Sequence, residues 1–327
     1  MSRVCLYYRT APERDRWVHG DRFIRPAVRR MLRGRSRPGG LDKVFSNLCL
    51  GLDRLRVDYE VNLPFERLSD DDRVGVLGRG RHCLEGYERN IPVVAGIGLM
   101  THPSEWPSLC IEYPVVRYLQ HSEWTNNVYR PYFGDRCRIW PVGIDTDAWA
   151  AQDTRKEWDI LIYDKIQWNR DQVEAALVRP IKSLLTRRAL KYTEIKYGSY
   201  EESTFRDLLS RSRAMLFLCE HESQGIAYQE CLSSNVPILA WDQGWCQDPN
   251  RFHWGAPDIP VTSVPYFDQS CGETFKGLAD FESQLDRFVE RLTLADFQPR
   301  QFILDHLTLE SCARRFVDIL DEVARTS

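Results

Sequence analysis

Apolar residues in the first half of the chain fall in short runs, separated by stretches in which they recur at helical spacing. A short apolar run predicts a buried strand, and apolar positions three and four residues apart predict an amphipathic helix. Helices are predicted over 41–55 and from Ser122. Alternation of this kind is typical of a parallel sheet covered by helices. The strands are predicted near Val4, Tyr59, Val76, Val94, Tyr118 and Ile139.

The second half repeats this alternation after the polar segment 143–158. The repetition predicts a second α/β unit, with a boundary near Ala150. Its helices are expected over about 170–187, from Glu201 and through Glu230, and its strands near Leu161 and Ile195 and in 214–218 and 236–241. The stretch 279–324 has apolar residues at helical spacing, and we expect it to be helical throughout.

Composition narrows the function classes only a little. A length of 327 residues suits two domains, and a net charge of −3 argues against a protein that coats nucleic acid. The ten cysteines stand singly without a C-x-x-C pair, which argues against a zinc site or a disulfide framework. Because the sequence shows no signal-peptide pattern and no apolar run long enough to span a membrane, we expect a cytoplasmic protein.

One segment stands out by its charge. The range Arg22–Arg37 contains seven arginines and no acidic residue. It is either a solvated loop that balances acids elsewhere, or a surface for phosphates and acidic lipid headgroups, which would give a peripheral membrane contact.

The stretch "HESQGIAYQE", residues 221–230, lies between a predicted strand and a predicted helix. Gly225 can adopt backbone angles closed to other residues, so the N–H groups of Gly225, Ile226 and Ala227 could converge on a phosphate. Glu222 would then lie at the anion site. Glu230, two helical turns further on, could accept hydrogen bonds from sugar hydroxyls.

Those residues carry a family resemblance. "ESQGIAYQE" followed by "CLSSNVPILA" resembles the E-x7-E element of the group 1, or family 4, retaining glycosyltransferases of the GT-B fold. "HSEW…CRIWPVGIDTDAW" is similar to that family's segment from the last strand of the first domain into the linker. "RPGGLDKVFSNLCLGL", with Gly39 and Gly40, is similar to its first-domain Gly-Gly loop and the following helix.

The resemblance implies an α/β GT-B fold in which two Rossmann-like domains face each other across a cleft. Residues 1–150 would bind the acceptor, residues 151–308 the nucleotide sugar, and residues 309–327 would form a helix packing back toward the N-terminal domain. The implied reaction moves a sugar from a nucleotide-diphosphate sugar to an acceptor with retention, with no metal and no cofactor. The acceptor could be a glycan, a lipid-linked or small molecule, or a polyanion.

The family usually places an Arg and a Lys five residues apart against the donor diphosphate. Here Lys165 and Arg170 have that spacing with the types exchanged, and Asp164 replaces a usual glycine. Either cation can neutralise a phosphate, although Arg adds a bidentate fork.

Roles for the remaining residues follow from the same resemblance. Glu230 would bind the donor ribose, and Glu222 would face the donor sugar. Three histidines could contact the sugar or simply pack, and His102, at the end of a predicted strand, is preferred as a sugar contact over His121 and His221.

Two other functions remain open at this point. An enzyme of the same fold could isomerise a nucleotide sugar, as a 2-epimerase does. A non-catalytic protein could bind a nucleotide sugar or a polyanion. A long aromatic segment, 242–272, could pack as a core of its own or stack on sugars.

Overall fold

The computed structural model of the protein describes residues 3–9 and 39–326. Within these residues the chain forms two compact units. The first unit contains the described part of Met1–Leu119, together with Tyr132–Arg138 and the chain from Ala313. The second contains Gln120–Pro131 and Ile139–Cys312. The arginine-rich segment predicted to contact anions or a membrane lies outside the described residues.

In the described part of the first unit, six strands form one sheet in the order β2-β1-β3-β4-β5-β6. The pairs β1–β2, β1–β3, β3–β4 and β4–β5 are parallel. The strands are β1 (Val4–Tyr7), β2 (Tyr59–Val61), β3 (Arg73–Val76), β4 (Val93–Gly96), β5 (Val115–Gln120) and β6 (Cys137–Ile139). The helices along this stretch are α1 (Gly40–Leu55), α2 (Leu109–Glu112) and α3 (Glu123–Phe133).

The second unit has a sheet of five parallel strands in the order β11-β10-β9-β7-β8 within the described chain. The strands are β7 (Trp158–Asp164), β8 (Tyr192–Lys196), β9 (Ser212–Leu218), β10 (Ile238–Trp241) and β11 (Gly272–Phe275). The helices that follow are α4 (Arg170–Val173), α5 (Arg179–Arg187), α6 (Glu202–Ser210), α7 (Ile226–Ser233), α8 (Leu278–Thr293), α9 (Pro299–His306) and α10 (Leu309–Thr326).

Both faces of the second sheet are buried, which explains its continuous apolar runs. Successive side chains of a strand point to opposite faces. Leu161 and Tyr163 of β7 accordingly pack in one core cluster with Tyr228 of α7. Ile160 and Ile162 pack in another cluster, against helices α5 and α8. The prediction of two α/β units of the Rossmann type is confirmed.

Helix α10 packs within the first unit over its second half. Arg73 pairs with Asp321 and Arg117 with Glu322. A Cβ on Gly75 would lie 2.9 Å from the Phe316 ring, so the strand must carry a glycine there. The domain limits predicted from the sequence stay predictions.

The prediction that 279–324 is helical throughout is wrong at two breaks, residues 294–298 and 307–308. The segment forms helices α8, α9 and α10. After α8, Ala295 has a φ of 54°, a left-handed conformation that ends a helix, and Pro299 suits the first position of the next one. The predicted helix over 170–187 is present but contains a π-turn at Glu174–Val178, just before Pro180, which has no N–H to donate. None of the described helices is long and apolar enough to span a membrane.

Candidate functional site

Strands β7 and β9 are neighbours at the point where the order of the second sheet reverses. Strand β8 lies on one side of them, and β10 and β11 lie on the other. In open parallel sheets a crevice forms outside the carboxyl ends of such strands, and ligands bind there. Lys165 follows β7, and its N–H donates to Leu218 O, at the end of β9, over 2.8 Å. The loops after both strands therefore start side by side.

An ion pair joins these loops. Lys165 Nζ donates to Glu222 Oε1, and only 13% and 11% of the two side chains are exposed. The ring of Tyr197, after β8, covers the ammonium with its centroid 4.4 Å from Nζ. Burial lowers the pKa of Lys165, but the Glu222 carboxylate outweighs it and holds that pKa above its usual value. Lys165 therefore keeps its charge although it is largely withdrawn from water.

The backbone of Glu222 is fixed from two sides. Its N–H donates to Thr262 O over 3.0 Å, and its carbonyl accepts from Trp124 Nε1 over 2.8 Å. The carboxylate also lies 3.7 Å from Cys219 Sγ, a weak donor. The position of the main chain is thus set independently of the ion pair.

Gly225 immediately precedes helix α7 and has a left-handed conformation, with φ 84° and ψ 49°. A Cβ at this position would lie 2.0 Å from Tyr228 Cε1, so both the backbone and the packing require glycine. The first N–H groups of an α-helix have no partner within the helix, and this first turn contains no acidic residue. The predicted amides of Ile226 and Ala227 therefore lie in the first turn of α7, where the partial positive charge of a helix N-terminus favours an anion.

Glu230 lies on the same helix and is 4% exposed. Its charge acts on a tyrosine pair whose hydroxyls, Tyr163 and Tyr200, are 2.6 Å apart. Burial, together with Glu230, raises the pKa of Tyr200 to about 12, so this phenol stays protonated. The structure thus brings Lys165, Glu222, Gly225 and Glu230 into one unit around the ends of β7 and β9.

Arg170, the second predicted cation, has a different environment. Its guanidinium binds both carboxylate oxygens of Asp164, with Nη1 2.5 Å from Oδ1, and lies 3.5 Å from Glu174. The same Asp164 Oδ1 accepts the Ile166 N–H over 3.1 Å. The acid that replaces the family's glycine is therefore the partner of Arg170.

Sequence reasoning missed Glu220. This carboxylate is 1% exposed and accepts the N–H groups of Gln167 and Trp168, each at 3.0 Å. Burial raises its pKa, partly offset by these hydrogen bonds. An acid next to the end of an apolar strand was the available signal. Glu220 ties the loop that follows Lys165 to the end of β9.

No family model matches this chain, and no curated protein matches it either. Solved structures do match. The lipopolysaccharide outer core galactosyltransferase WaaB, in its apo form, has a TM-score of 0.55 at 10% identity, over 98% of this chain and 99% of WaaB. Sucrose-phosphate synthase from Thermosynechococcus elongatus has a TM-score of 0.54 at 12% identity, over 100% of both chains. The fold is GT-B.

A variant of TarM from S. aureus, in complex with fondaparinux, alpha-GlcNAc-glycerol and UDP, has a TM-score of 0.53 at 11% identity. The match covers 85% of this chain and 58% of TarM, so the chain spans little more than half of that protein. Likeness at such identities establishes the GT-B fold.

The predicted residues His102, Gly39 and Gly40 belong to the first unit. His102 is 3% exposed, its Nδ1 is 2.8 Å from Ser104 Oγ, and burial lowers its pKa. Gly39 precedes α1 and Gly40 begins it. The assignment of His102 to a sugar contact, and of the two glycines to an acceptor loop, stays a prediction.

The other two histidines belong to the second unit. His121 is buried, its ring donates from Nδ1 to Trp140 O over 3.3 Å, and burial lowers its pKa to about 4. His221 stacks on Trp168, with ring centroids 4.9 Å apart, and burial lowers its pKa too. Each ring thus lies beside an aromatic ring, His121 near Trp140 and His221 on Trp168, and their exclusion as sugar contacts stays a prediction.

Most of the aromatic segment 242–272 packs. Cys246, Ile259 and Val261 form a small core with Trp124 and Trp254. Tyr266 donates to His121 O, whereas the Trp245 side chain is 54% exposed. Packing thus accounts for these residues, whereas Trp245 and Phe252, which is 62% exposed, lie largely at the surface.

Among the described residues no group of three or more His, Cys, Asp or Glu side chains is placed to hold a metal ion. The expectation that the chemistry needs no metal and no cofactor stays a prediction.

Proposed function

We propose that the protein transfers a sugar from a nucleotide-diphosphate sugar to an acceptor, with retention at the anomeric carbon, as the family 4 glycosyltransferases do. The observation that carries the proposal is the Lys165–Glu222 pair at the β7/β9 switch point. Glu222 lies three residues before Gly225, which precedes helix α7. A partly buried cation beside an uncapped helix N-terminus suits a diphosphate.

Lys165 and the N–H groups of Gly225, Ile226 and Ala227 are assigned to the leaving diphosphate. As the bond between the anomeric carbon and the phosphate oxygen breaks, negative charge grows on that oxygen, where fixed donors lower the barrier. The acceptor oxygen forms the new bond to the anomeric carbon, and its proton passes to the leaving phosphate. In this proposal no metal takes part.

Glu222 and Glu230 are assigned to the sugar and the ribose of the donor. Glu230 lies two helical turns beyond Gly225 and is close enough to Tyr200 to act on its pKa. A buried carboxylate with hydroxyl neighbours suits binding of ribose hydroxyls. Glu222 would orient the sugar hydroxyls or stabilise positive charge at the anomeric carbon.

The neighbour WaaB supports the proposal because it is a galactosyltransferase by name and matches this chain over 98% of its length. Sucrose-phosphate synthase matches all of this chain and is named for a phosphorylated sugar product. TarM supports a nucleotide ligand because its structure contains UDP. The acceptor is left open by these comparisons. A peripheral membrane contact through Arg22–Arg37 stays a prediction.

The test starts with a thermal-shift panel of nucleotide sugars, because a ligand that binds only the folded state stabilises it. Release of nucleoside diphosphate from the best donor is then measured for Lys165→Ala, with Lys182→Ala, a cation paired to Glu194 on the surface, as the control. Loss of a donor to the leaving group costs about 10²-fold or more in kcat/KM. Lys182→Ala should behave like the parent.

Two acid variants separate binding from transfer. Glu230→Gln should raise the Kd of the nucleotide sugar, and Glu222→Gln should mainly lower kcat for transfer. If both variants bind and turn over donors as the parent does, the proposed site is wrong.

A further inference from the structure

Both cations near the proposed diphosphate site already hold a carboxylate of the protein. Lys165 pairs with Glu222, and Arg170 pairs with Asp164. A diphosphate can reach either cation only by displacing that carboxylate or by sharing the cation with it. The two pairs differ in how firmly the carboxylate is held.

Asp164 is held at both oxygens. The Arg170 fork takes one nitrogen to each oxygen, and Oδ1 also accepts the Ile166 N–H. Bidentate pairs of this geometry are among the stronger charge-assisted contacts. Rotating the Asp164 side chain away would break the fork and the turn after β7 together. We therefore expect the Asp164–Arg170 ion pair to remain intact when a ligand binds.

Glu222 is held differently. Its main chain is fixed by Thr262 O and the Trp124 indole, while its carboxylate is bound by Lys165 and lies 3.7 Å from the weak donor Cys219. Its side chain can therefore rotate without any change in the segment that carries it. The cost of rotation is the loss of a counterion for Lys165.

The free-energy cost of leaving Lys165 without a counterion is removed when another anion binds to its ammonium group. Leaving one partner of a buried ion pair uncompensated is strongly destabilising, because the remaining charge has lost both water and its counterion. A phosphate oxygen bound to Lys165 Nζ restores a charge-assisted contact of the same kind. Exchange of carboxylate for phosphate thus keeps Lys165 neutralised throughout.

We propose that Glu222 is the resting counterion of Lys165, that the donor diphosphate displaces it, and that the released carboxylate then turns to the donor sugar. Arg170 stays on Asp164 and does not exchange. The inference rests on the proposed function. In this inference Glu222 competes with the diphosphate for Lys165. A residue that only binds the donor sugar would not compete in this way.

The exchange is tested with inorganic pyrophosphate and with UDP, whose Kd values are measured at pH 7 by titration calorimetry for the whole protein. Glu222→Gln keeps the shape of the side chain and removes the competing charge, so both ligands should bind about tenfold more tightly, the order expected for one charge-assisted contact. The same variant should transfer sugar more slowly than the parent.

Asp164→Asn is the matched control, because it also removes one carboxylate from a neighbouring cation and can still accept the Ile166 N–H. It should change the Kd of pyrophosphate by less than about twofold, since Arg170 is not an exchanging cation. Melting of each variant without ligand checks that both are folded.

Three results would overturn the exchange: a Kd for Glu222→Gln equal to or above the parent's, an equal gain for Asp164→Asn, or no binding of pyrophosphate by any form. Failure of the proposed function gives a different result. Pyrophosphate would bind more tightly to Glu222→Gln, yet no nucleotide sugar would be turned over.

Discussion

The strand order reverses in both sheets, between β1 and β3 in the first and between β7 and β9 in the second. The helices α1 and α7 differ in whether their first turn contains an acidic residue. In the first unit, Asp42 in the first turn of α1 accepts the Gly39 N–H over 2.6 Å and the Tyr8 hydroxyl over 2.5 Å. In the second unit, α7 begins after Gly225 with no acid in its first turn, and Lys165 pairs with Glu222 in the loop before it.

This difference lies in the side chains at the two helix N-termini and not in the fold. A helix N-terminus carries partial positive charge wherever it occurs, and a carboxylate in its first turn satisfies that charge from within the protein. Helix α1 has such a carboxylate and α7 does not. The N-terminus of α1 is thus satisfied by its own residue, and the lack of such a residue at α7 is consistent with the proposed diphosphate site there.

The largest effect should come from the glycine that opens α7. Gly225→Ala would place a β-carbon 2.0 Å from the Tyr228 ring in a left-handed backbone conformation. We expect a loss of about 3 kcal/mol in the free energy of unfolding, measured by urea denaturation, together with loss of UDP binding.

Gly39→Ala is the matched change at α1. Gly39 has an ordinary φ of −69°, and among the described residues its new β-carbon would meet the flexible ends of Arg79 and Asp42. The expected cost is below about 1 kcal/mol. Equal losses for the two variants would show that the two N-termini are not built differently.

Each unit also contains a buried histidine that should make its stability depend on pH. Burial lowers the pKa of His121 to about 4, below the ordinary value of about 6.5, so the unfolded chain takes up a proton in this range that the folded chain does not. Stability is therefore lost as the pH falls from about 6.5 to about 4, by about 3 kcal/mol from this group. Burial lowers the pKa of His102 in the first unit with the same sign.

His121→Asn should remove this part of the pH dependence, because its amide can still donate to Trp140 O and carries no titrating group. Urea denaturation of the parent and the variant at pH 7 and pH 4.5 gives the comparison. An unchanged difference in stability between the two pH values would contradict the assigned titration of His121.

The sequence predicts the strands and helices well because the spacing of apolar residues differs between buried strands and amphipathic helices and can be read over short stretches of chain. It does not predict the break after Thr293, where Ala295 takes a left-handed conformation, or β11, whose apolar content is low. It also does not predict Glu220, since its two backbone partners are distant in the sequence.

For the site, spacing and residue type locate Lys165, Glu222 and the Gly225 turn, which the fold brings to the switch point. The sequence pattern does not show which carboxylate each cation pairs with. Lys165 and Arg170 look alike in the sequence, and only their partners distinguish the cation that rests on Glu222 from the one that is bound bidentately by Asp164.

The most direct test of the central claim is a crystal structure of the protein with UDP. The account predicts a phosphate within hydrogen-bond distance of Lys165 Nζ and of the N–H groups at Gly225 and Ile226, with the Glu222 carboxylate turned away from Lys165. A diphosphate bound instead at Gly39 and Gly40 of α1, or bound with the Lys165–Glu222 pair intact, would contradict it.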